Sequence, residues 1–204
     1  KTFYNPSNYS FNFNRKSNKS KFFNVYYTGN LGEGQNLDSV IDIFNDEKIV
    51  LHNIRFIIYG SGKKFTSIKN KIKKNKYKNV FLNRSVSPNK LKKKMQNADC
   101  FILKLNHGLG LSKTIPAKFQ TYLSFGKPII SINDGIVSKI ISKYKIGYQC
   151  KSTKNMDLKT LLLKSKNLTK FQLEKIAKNS EKLFIKKFEI NNSCKKLKNY
   201  LEEL

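Results

Sequence analysis

Acidic residues are scarce in this 204-residue sequence: 13 Asp and Glu stand against 41 Lys and Arg, a formal net charge of +28. That scarcity leaves little for paired-carboxylate catalysis. Glu33, Asp38 and Asp134 fall near loops of interest, but Asp38 and Asp134 serve equally well as first-turn or capping residues of the helices behind them. Cysteine is scarce too. Cys100, Cys150 and Cys194 are scattered, odd in number and without metal-ligand spacing, which points to a reducing compartment. Cys100 lies inside "DCFILKL" and reads as a small buried hydrophobe. The two histidines, His52 and His107, stand apart, so no His/Asp/Glu cluster suggests a metal. No Ser/His/Asp set has an interpretable spacing. No apolar run approaches the roughly 20 residues of a spanning helix, which excludes one within this chain.

What is abundant is lysine. A strongly basic balance suits nucleic acid, an acidic membrane surface or phosphorylated ligands. Lysine far outnumbers arginine, however, and asparagine and isoleucine are plentiful, which an AT-rich coding sequence produces without any partner. Nucleic-acid binding needs basic residues interleaved with exposed aromatics, whereas Phe56, Tyr59, Phe81 and Phe101 fall at strand or core positions. Charge is the only argument for it. The runs "KNKIKKNKYKN" and "NKLKKKM" read as solvated helix faces, with an anionic lipid surface as a possible partner.

After a polar lead-in from residue 1 to about 20, apolar strands alternate with amphipathic helices. "FFNVYYTGN", "IRFIIYG", "NVFLN", "DCFILKL", "KPIISI" and "GYQCK" read as strands. Between them, "NLDSVIDIFND" has helical spacing at Leu37, Val40, Ile41 and Phe44, and "KFTSIKNKIKKNK" is a basic helix. "SPNKLKKKMQNA" starts with Ser87 at the cap position and Pro88 at the first helical position. "TIPAKFQTYLSFG" opens on a proline and stops at a glycine, a helix follows from about Gly135 to Lys145, and helical patterns run from Met156 to Leu204. This alternation predicts an α/β domain over 21–204: a Rossmann-like doubly wound parallel sheet with helices on both faces. Ligands of such sheets bind outside the carboxyl ends of the strands. The loops there are "GNLGEGQ", "GSGKK", "NRSVS" and "NHGLGLSKT".

None of these loops matches the dinucleotide or P-loop spacing. A turn glycine between strand and helix explains each one taken singly. Together with the helix start at Thr114–Lys118, however, they converge on one edge, which suits a phosphate or diphosphate. Lys118 is the odd residue, a cation in the first turn of a helix, where only a nearby anion makes it favourable. Its alternative is a solvent-exposed side chain.

The ordered series "VYYTGNLGEGQNLDSVI", "FIIYGSG", "NVFLNRSVSPNKLKKKMQNADCFILKL", "TIPAKFQTYLSFGKPIIS" and "NSEKLFIKKFEINNSCKKLKNYL" resembles the C-terminal, nucleotide-sugar-binding half of a retaining glycosyltransferase of the GT-B fold, family 4 or group 1. "TIPAKFQTYLSFGKPII" is similar to the branch with which bacteria build O-antigen, capsule and exopolysaccharide. The resemblance implies metal-independent transfer from a nucleotide-diphosphate sugar, with no other cofactor. The loop holding Gly29, Asn30, Gly32 and Gln35 would then cover the diphosphate, and Gly108, Leu109, Gly110, Leu111, Ser112 and Lys113 would hold phosphate and sugar. Asn83 and Ser85 would frame the base. Two features depart from the family. Positions that hold an arginine and a lysine in many relatives are Asn30 and Gln35 here, and those of two glutamates are Lys113 and Thr121. Lys118, with Arg84 or Lys113, would supply the positive charge, and Gln120 or Thr121 would reach the ribose. The resemblance also implies an N-terminal acceptor domain, in the same or a separate chain, with residues 1–20 as the expected interdomain linker or remnant. A donor-binding domain working at the cytoplasmic membrane face is thus the leading expectation; a noncatalytic partner or degenerate domain is its alternative.

Overall fold

The computed structural model describes residues 4–7, 10–13, 20–105, 113–132, 134–150 and 155–203. Six strands form one parallel sheet: β1 (Phe23–Asn30), β2 (Ile54–Ser61), β3 (Val80–Arg84), β4 (Cys100–Lys104), β5 (Ile129–Ile132) and β6 (Gly147–Cys150), in the order β3-β2-β1-β4-β5-β6. The chain runs outward from β1 to the edge strand β3, then crosses back to β4 on the other side of β1. Direction reverses between β1 and β4, and the crevice at that reversal is where such sheets take ligands.

The expected Rossmann-like architecture is therefore the one observed. Nine helices connect or follow the strands among the described residues: α1 (Asp38–Ile43), α2 (Glu47–Leu51), α3 (Phe65–Lys74), α4 (Pro88–Met95), α5 (Ala117–Leu123), α6 (Ile136–Tyr144), α7 (Asn155–Lys166), α8 (Lys170–Lys187) and α9 (Ile190–Glu202). Successive strand residues point to opposite faces, so each strand divides its apolar residues between two cores. Val25 and Tyr27 of β1, with Cys100 and Ile102 of β4, meet Val40, Ile41, Ile49, Ile68, Leu158 and Leu162 on one face. Tyr26, Phe101 and Leu103 meet Met95, Phe119, Tyr122, Val137, Ile141 and Phe184 on the other. All five residues of β4 are buried, as its composition requires of a central strand covered on both faces. Stacked rings tie helix to sheet on each side, Phe44 on Phe56 at 4.5 Å and Tyr122 on Phe101 at 4.4 Å between centroids.

Several local details differ from the sequence reading. The pattern "NLDSVIDIFND" closes as α1, and a second short helix, α2, follows because the Asp46 carboxylate accepts from the Lys48 N–H and caps it. Ser87 stands at the cap position of α4 but its hydroxyl makes no capping bond, and Pro88 carries the start. Pro116 occupies the cap position of α5 instead of its first turn. The described part of the lead-in is strapped across the second face. Ser7 N–H donates to the Phe188 carbonyl and Asn12 N–H to that of Ser124, while Tyr4 packs on Phe188. No helix among the described residues is long and apolar enough to cross a membrane.

Candidate functional site

The candidate site is built at the carboxyl ends of β1 and β4. The β1–β2 register places Gly29 opposite Gly60, and a Cβ on Gly60 would stand only 2.2 Å from the Gly29 carbonyl oxygen. Only glycine lets the two strand ends approach this closely. Gly29 itself has φ +124°, a conformation that L side chains rarely adopt. The chain then turns into the loop 31–37. Leu31 is buried and held on both sides, its N–H donating to the Ser61 carbonyl and its carbonyl accepting from the Lys64 N–H.

Lys118 reaches this turn from α5. Its Nζ lies 3.4 Å from where a Gly29 Cβ would stand, which seats the ammonium directly against the turn. The ammonium donates to the Tyr27 hydroxyl at 2.7 Å and sits 4.4 Å from the centre of that ring. Tyr27 in turn donates to the Asn30 carbonyl at 2.7 Å. The phenol thus accepts the lysine's proton and hands its own to the loop, fixing cation and loop together. Burial alone pushes the Lys118 ammonium down to about 8. Among the described residues no carboxylate forms an ion pair with it. A half-buried cation whose partner is a neutral phenol has lost part of its hydration and gains when an anion approaches.

A second lysine, and a buried one, stands at the same edge. Lys104 closes β4; its register with β1, carried forward from Tyr26 opposite Phe101, sets it beside Gly29. Its side chain is 7% exposed, and Nζ donates to the Asn36 carbonyl and, at 2.8 Å, to the Ser39 hydroxyl. Burial lowers its pKa and the nearby Asp38 carboxylate opposes that shift. Lys104 therefore clamps the far end of the loop whose near end is tied to Lys118. The sequence carries a signal for it: a single charge at the end of the otherwise apolar buried strand "CFILK".

The other expected residues divide. Gln35 folds back, its Oε1 accepting from the Gly32 N–H at 3.3 Å, so it shapes the loop and ties up one of its amides. Asn30 stands exposed at the end of β1. Arg84 ends β3 on the same carboxyl edge, its guanidinium 4.9 Å from the centre of the Phe65 ring. Asn83 spends its amide on the Ile58 carbonyl, and Ser85 bonds to Ser61. Gln120 is buried and donates to the Asn5 carbonyl, while the Thr121 hydroxyl donates to the Ala117 carbonyl one turn earlier in its own helix. Lys113 is exposed, and Gly108, Leu109, Gly110, Leu111 and Ser112 lie outside the described residues. Asp134, near the ends of β5 and β6, accepts from Gln149. Two ammonium groups thus bear on one loop, Lys118 at its start and Lys104 at its end. No group of three His, Cys, Asp or Glu capable of holding a metal ion occurs among the described residues.

A family model described as glycosyl transferases, group 1, matches residues 10–183. None of the curated proteins matches the sequence. Among solved structures, a mutant TarM of S. aureus in complex with fondaparinux, alpha-GlcNAc-glycerol and UDP has a TM-score of 0.70 at 17% identity, the match covering 97% of this chain and 38% of that one. Anabaena Alr3699/HepE in complex with UDP-glucose has a TM-score of 0.70 at 12% identity over 90% of this chain and 49% of its own. A trehalose-6-phosphate synthase, studied for glycosyl transfer with retention, gives 0.69 at 11% identity over 90% of this chain and 46% of its own. At these identities the likeness concerns the fold. The chain spans half or less of each of these structures.

Proposed function

The chain belongs to the group 1 glycosyl transferases, and on that premise we propose that it binds a nucleotide-diphosphate sugar at the β1/β4 reversal, with Lys118 as the main cation for the diphosphate. The observation that carries this reading is the Lys118 ammonium seated against Gly29, half-buried, held by a neutral phenol and, among the described residues, in no ion pair with a carboxylate. In sugar transfer, negative charge grows on the leaving diphosphate. A preorganised ammonium that stabilises that charge more than it stabilises the bound donor meets the condition for accelerating the reaction. Lys104 acts behind it by holding the loop at Asn36 and Ser39. The UDP and UDP-glucose in the TarM and HepE complexes favour UDP as the nucleotide, and the synthase favours retention.

The finer reading is a donor-binding unit over residues 21–204 of a retaining, metal-independent enzyme of cell-envelope polysaccharide synthesis. It works at the inner face of the membrane and completes its acceptor site with an N-terminal domain in the same or another chain. A noncatalytic partner subunit or degenerate glycosyltransferase domain is the second reading. It is favoured by Gln120 and Thr121, which spend their polar groups on Asn5 and Ala117 and leave α5 without a carboxylate for the ribose. Calorimetric titration of the folded chain with UDP, GDP and ADP separates these outcomes. Saturable binding of one nucleotide is expected, most tightly UDP; a folded chain that binds none defeats the donor site and favours the noncatalytic reading. Given binding, sugar transfer after addition of an N-terminal partner domain distinguishes enzyme from partner.

A further inference from the structure

A second lysine-rich region lies away from the β1/β4 reversal. Between Glu47 and Asp99 the chain carries 15 Lys and Arg and no acidic residue. This run builds β2, α3, β3 and α4, and β3 is the outer strand of the sheet. The basic residues therefore gather around an open sheet edge. Lys73, Lys74, Lys76 and Lys78 lead into β3, Arg84 ends it, and Lys90, Lys93 and Lys94 follow on α4; all are exposed. The ion pairs of this region, Lys71 to Asp42 and Lys64 to Asp38, lie on its inner side toward α1. Two apolar side chains break the surface at the same edge, Phe81 on β3 at 41% exposure and Val86 just beyond it at 36%.

We propose that this β3 edge is the surface by which the protein docks on an anionic lipid bilayer. The lysines would sit among headgroup phosphates, where attractions to a charged plane add up without any defined pairing. Phe81 and Val86 would enter the boundary between headgroups and acyl chains, as apolar residues of interfacial proteins do. Arg55, whose guanidinium stands 5.3 Å from the centre of the Phe81 ring, would lie at headgroup level. Single-stranded nucleic acid needs a row of aromatic platforms, and here one exposed ring stands beside an aliphatic residue. Lysines beside an edge strand also resist pairing with another strand, which disfavours a protein docking there by strand addition. The inference supplies a surface for the proposed membrane location and does not depend on the donor site: a chain that binds no nucleotide would still dock.

The test is co-sedimentation with phosphatidylcholine vesicles containing about 30% phosphatidylglycerol, at low and at physiological salt. The chain is compared with a triple reversal at the edge, Lys73→Glu, Lys76→Glu and Lys93→Glu, and with one of equal charge on exposed positions of α8, Lys175→Glu, Lys178→Glu and Lys182→Glu. Thermal melts establish that each variant is folded. The edge reversal is expected to lower partitioning about tenfold or more and the α8 reversal less than about twofold. Equal losses would mean that overall charge alone acts and would overturn the proposal, as would equal binding to pure phosphatidylcholine. The sequence contains no tryptophan, so Phe81→Trp installs a single fluorophore at the edge. Its emission is expected to shift to the blue on anionic vesicles; an unchanged emission from bound protein would overturn docking through this edge. Tighter binding of single-stranded DNA, lost in the same edge variant, would assign the surface to nucleic acid instead.

Discussion

Lys118 and Lys93 are the same residue in opposite surroundings. Lys118 is folded into the turn at Gly29 with a phenol as its acceptor, and burial depresses its pKa. Lys93 stands exposed on α4 among other lysines. In water an ammonium is already well solvated, so an exposed lysine gains little from any single partner and acts through numbers. A buried ammonium has lost that solvation and has much to gain from one anion in the right place. The two regions therefore predict different kinds of recognition: one defined ligand at the β1/β4 reversal, and a diffuse charged plane at the β3 edge.

The sharpest way to break the comparison is Lys118→Ala. If the buried lysine contacts phosphate, nucleoside-diphosphate affinity falls by about 1.5 to 3 kcal/mol, roughly ten- to a hundredfold, as for loss of a charge-assisted hydrogen bond. Thermal stability should hold or rise, because a half-buried charge with only a neutral partner among the described residues has been removed. Lys93→Ala should leave that affinity unchanged. Calorimetry on both variants decides, and equal losses would erase the distinction.

A pH series is the next largest effect. The anion binds the protonated lysine, and Lys118 loses its proton as pH rises through about 8. Affinity should therefore change little up to pH 7 and fall about tenfold between pH 7 and 9, with proton uptake on binding in the upper part of that range. The stability of the ligand-free protein moves the other way. Burial holds this group below its ordinary value, so between the two values the unfolded chain binds more protons and Lys118 contributes a rise in stability with pH. A pH-independent affinity over this range would remove Lys118 from the site.

The smallest effect belongs to an exposed pair. Asp42 accepts from Lys71 and from the Tyr77 hydroxyl, each at 2.7 Å, on the solvent side of α1. Asp42→Asn should lower unfolding free energy by about 1 kcal/mol or less and weaken no ligand, measured by denaturant titration. A larger loss would show that surface charge in this chain contributes more than its exposure implies.

Much of this fold is legible in the sequence because its causes are local. Strands rich in Val, Ile, Phe and Tyr alternate with amphipathic runs, and "DCFILKL" announces a strand buried on both faces. The glycines of "GNLGEG" and "GSG" mark where β1 and β2 end together, as the Gly29–Gly60 approach bears out. Lys118 could be singled out because a cation in a first helical turn is locally unfavourable. Its actual environment was not readable: Tyr27 lies 91 positions away and becomes its partner only when α5 packs beneath β1. Gln120 shows the converse. Its position suggested a ribose contact, but the segment at Asn5 folds across α5 and takes its amide.

The sequence by itself determined the order of strands and helices, the parallel α/β class and the family, since hydrophobic period, turn glycines and motif spacing are properties of the chain before it folds. Only the tertiary structure decided how the 41 basic residues are placed relative to one another. The crossing from β3 back to β4 carries Lys104 and the turn at Gly29 into one crevice and leaves the acid-free run around an outer strand. A lysine's energy depends on how much water it loses and what replaces it, and that is settled by residues far apart in the chain.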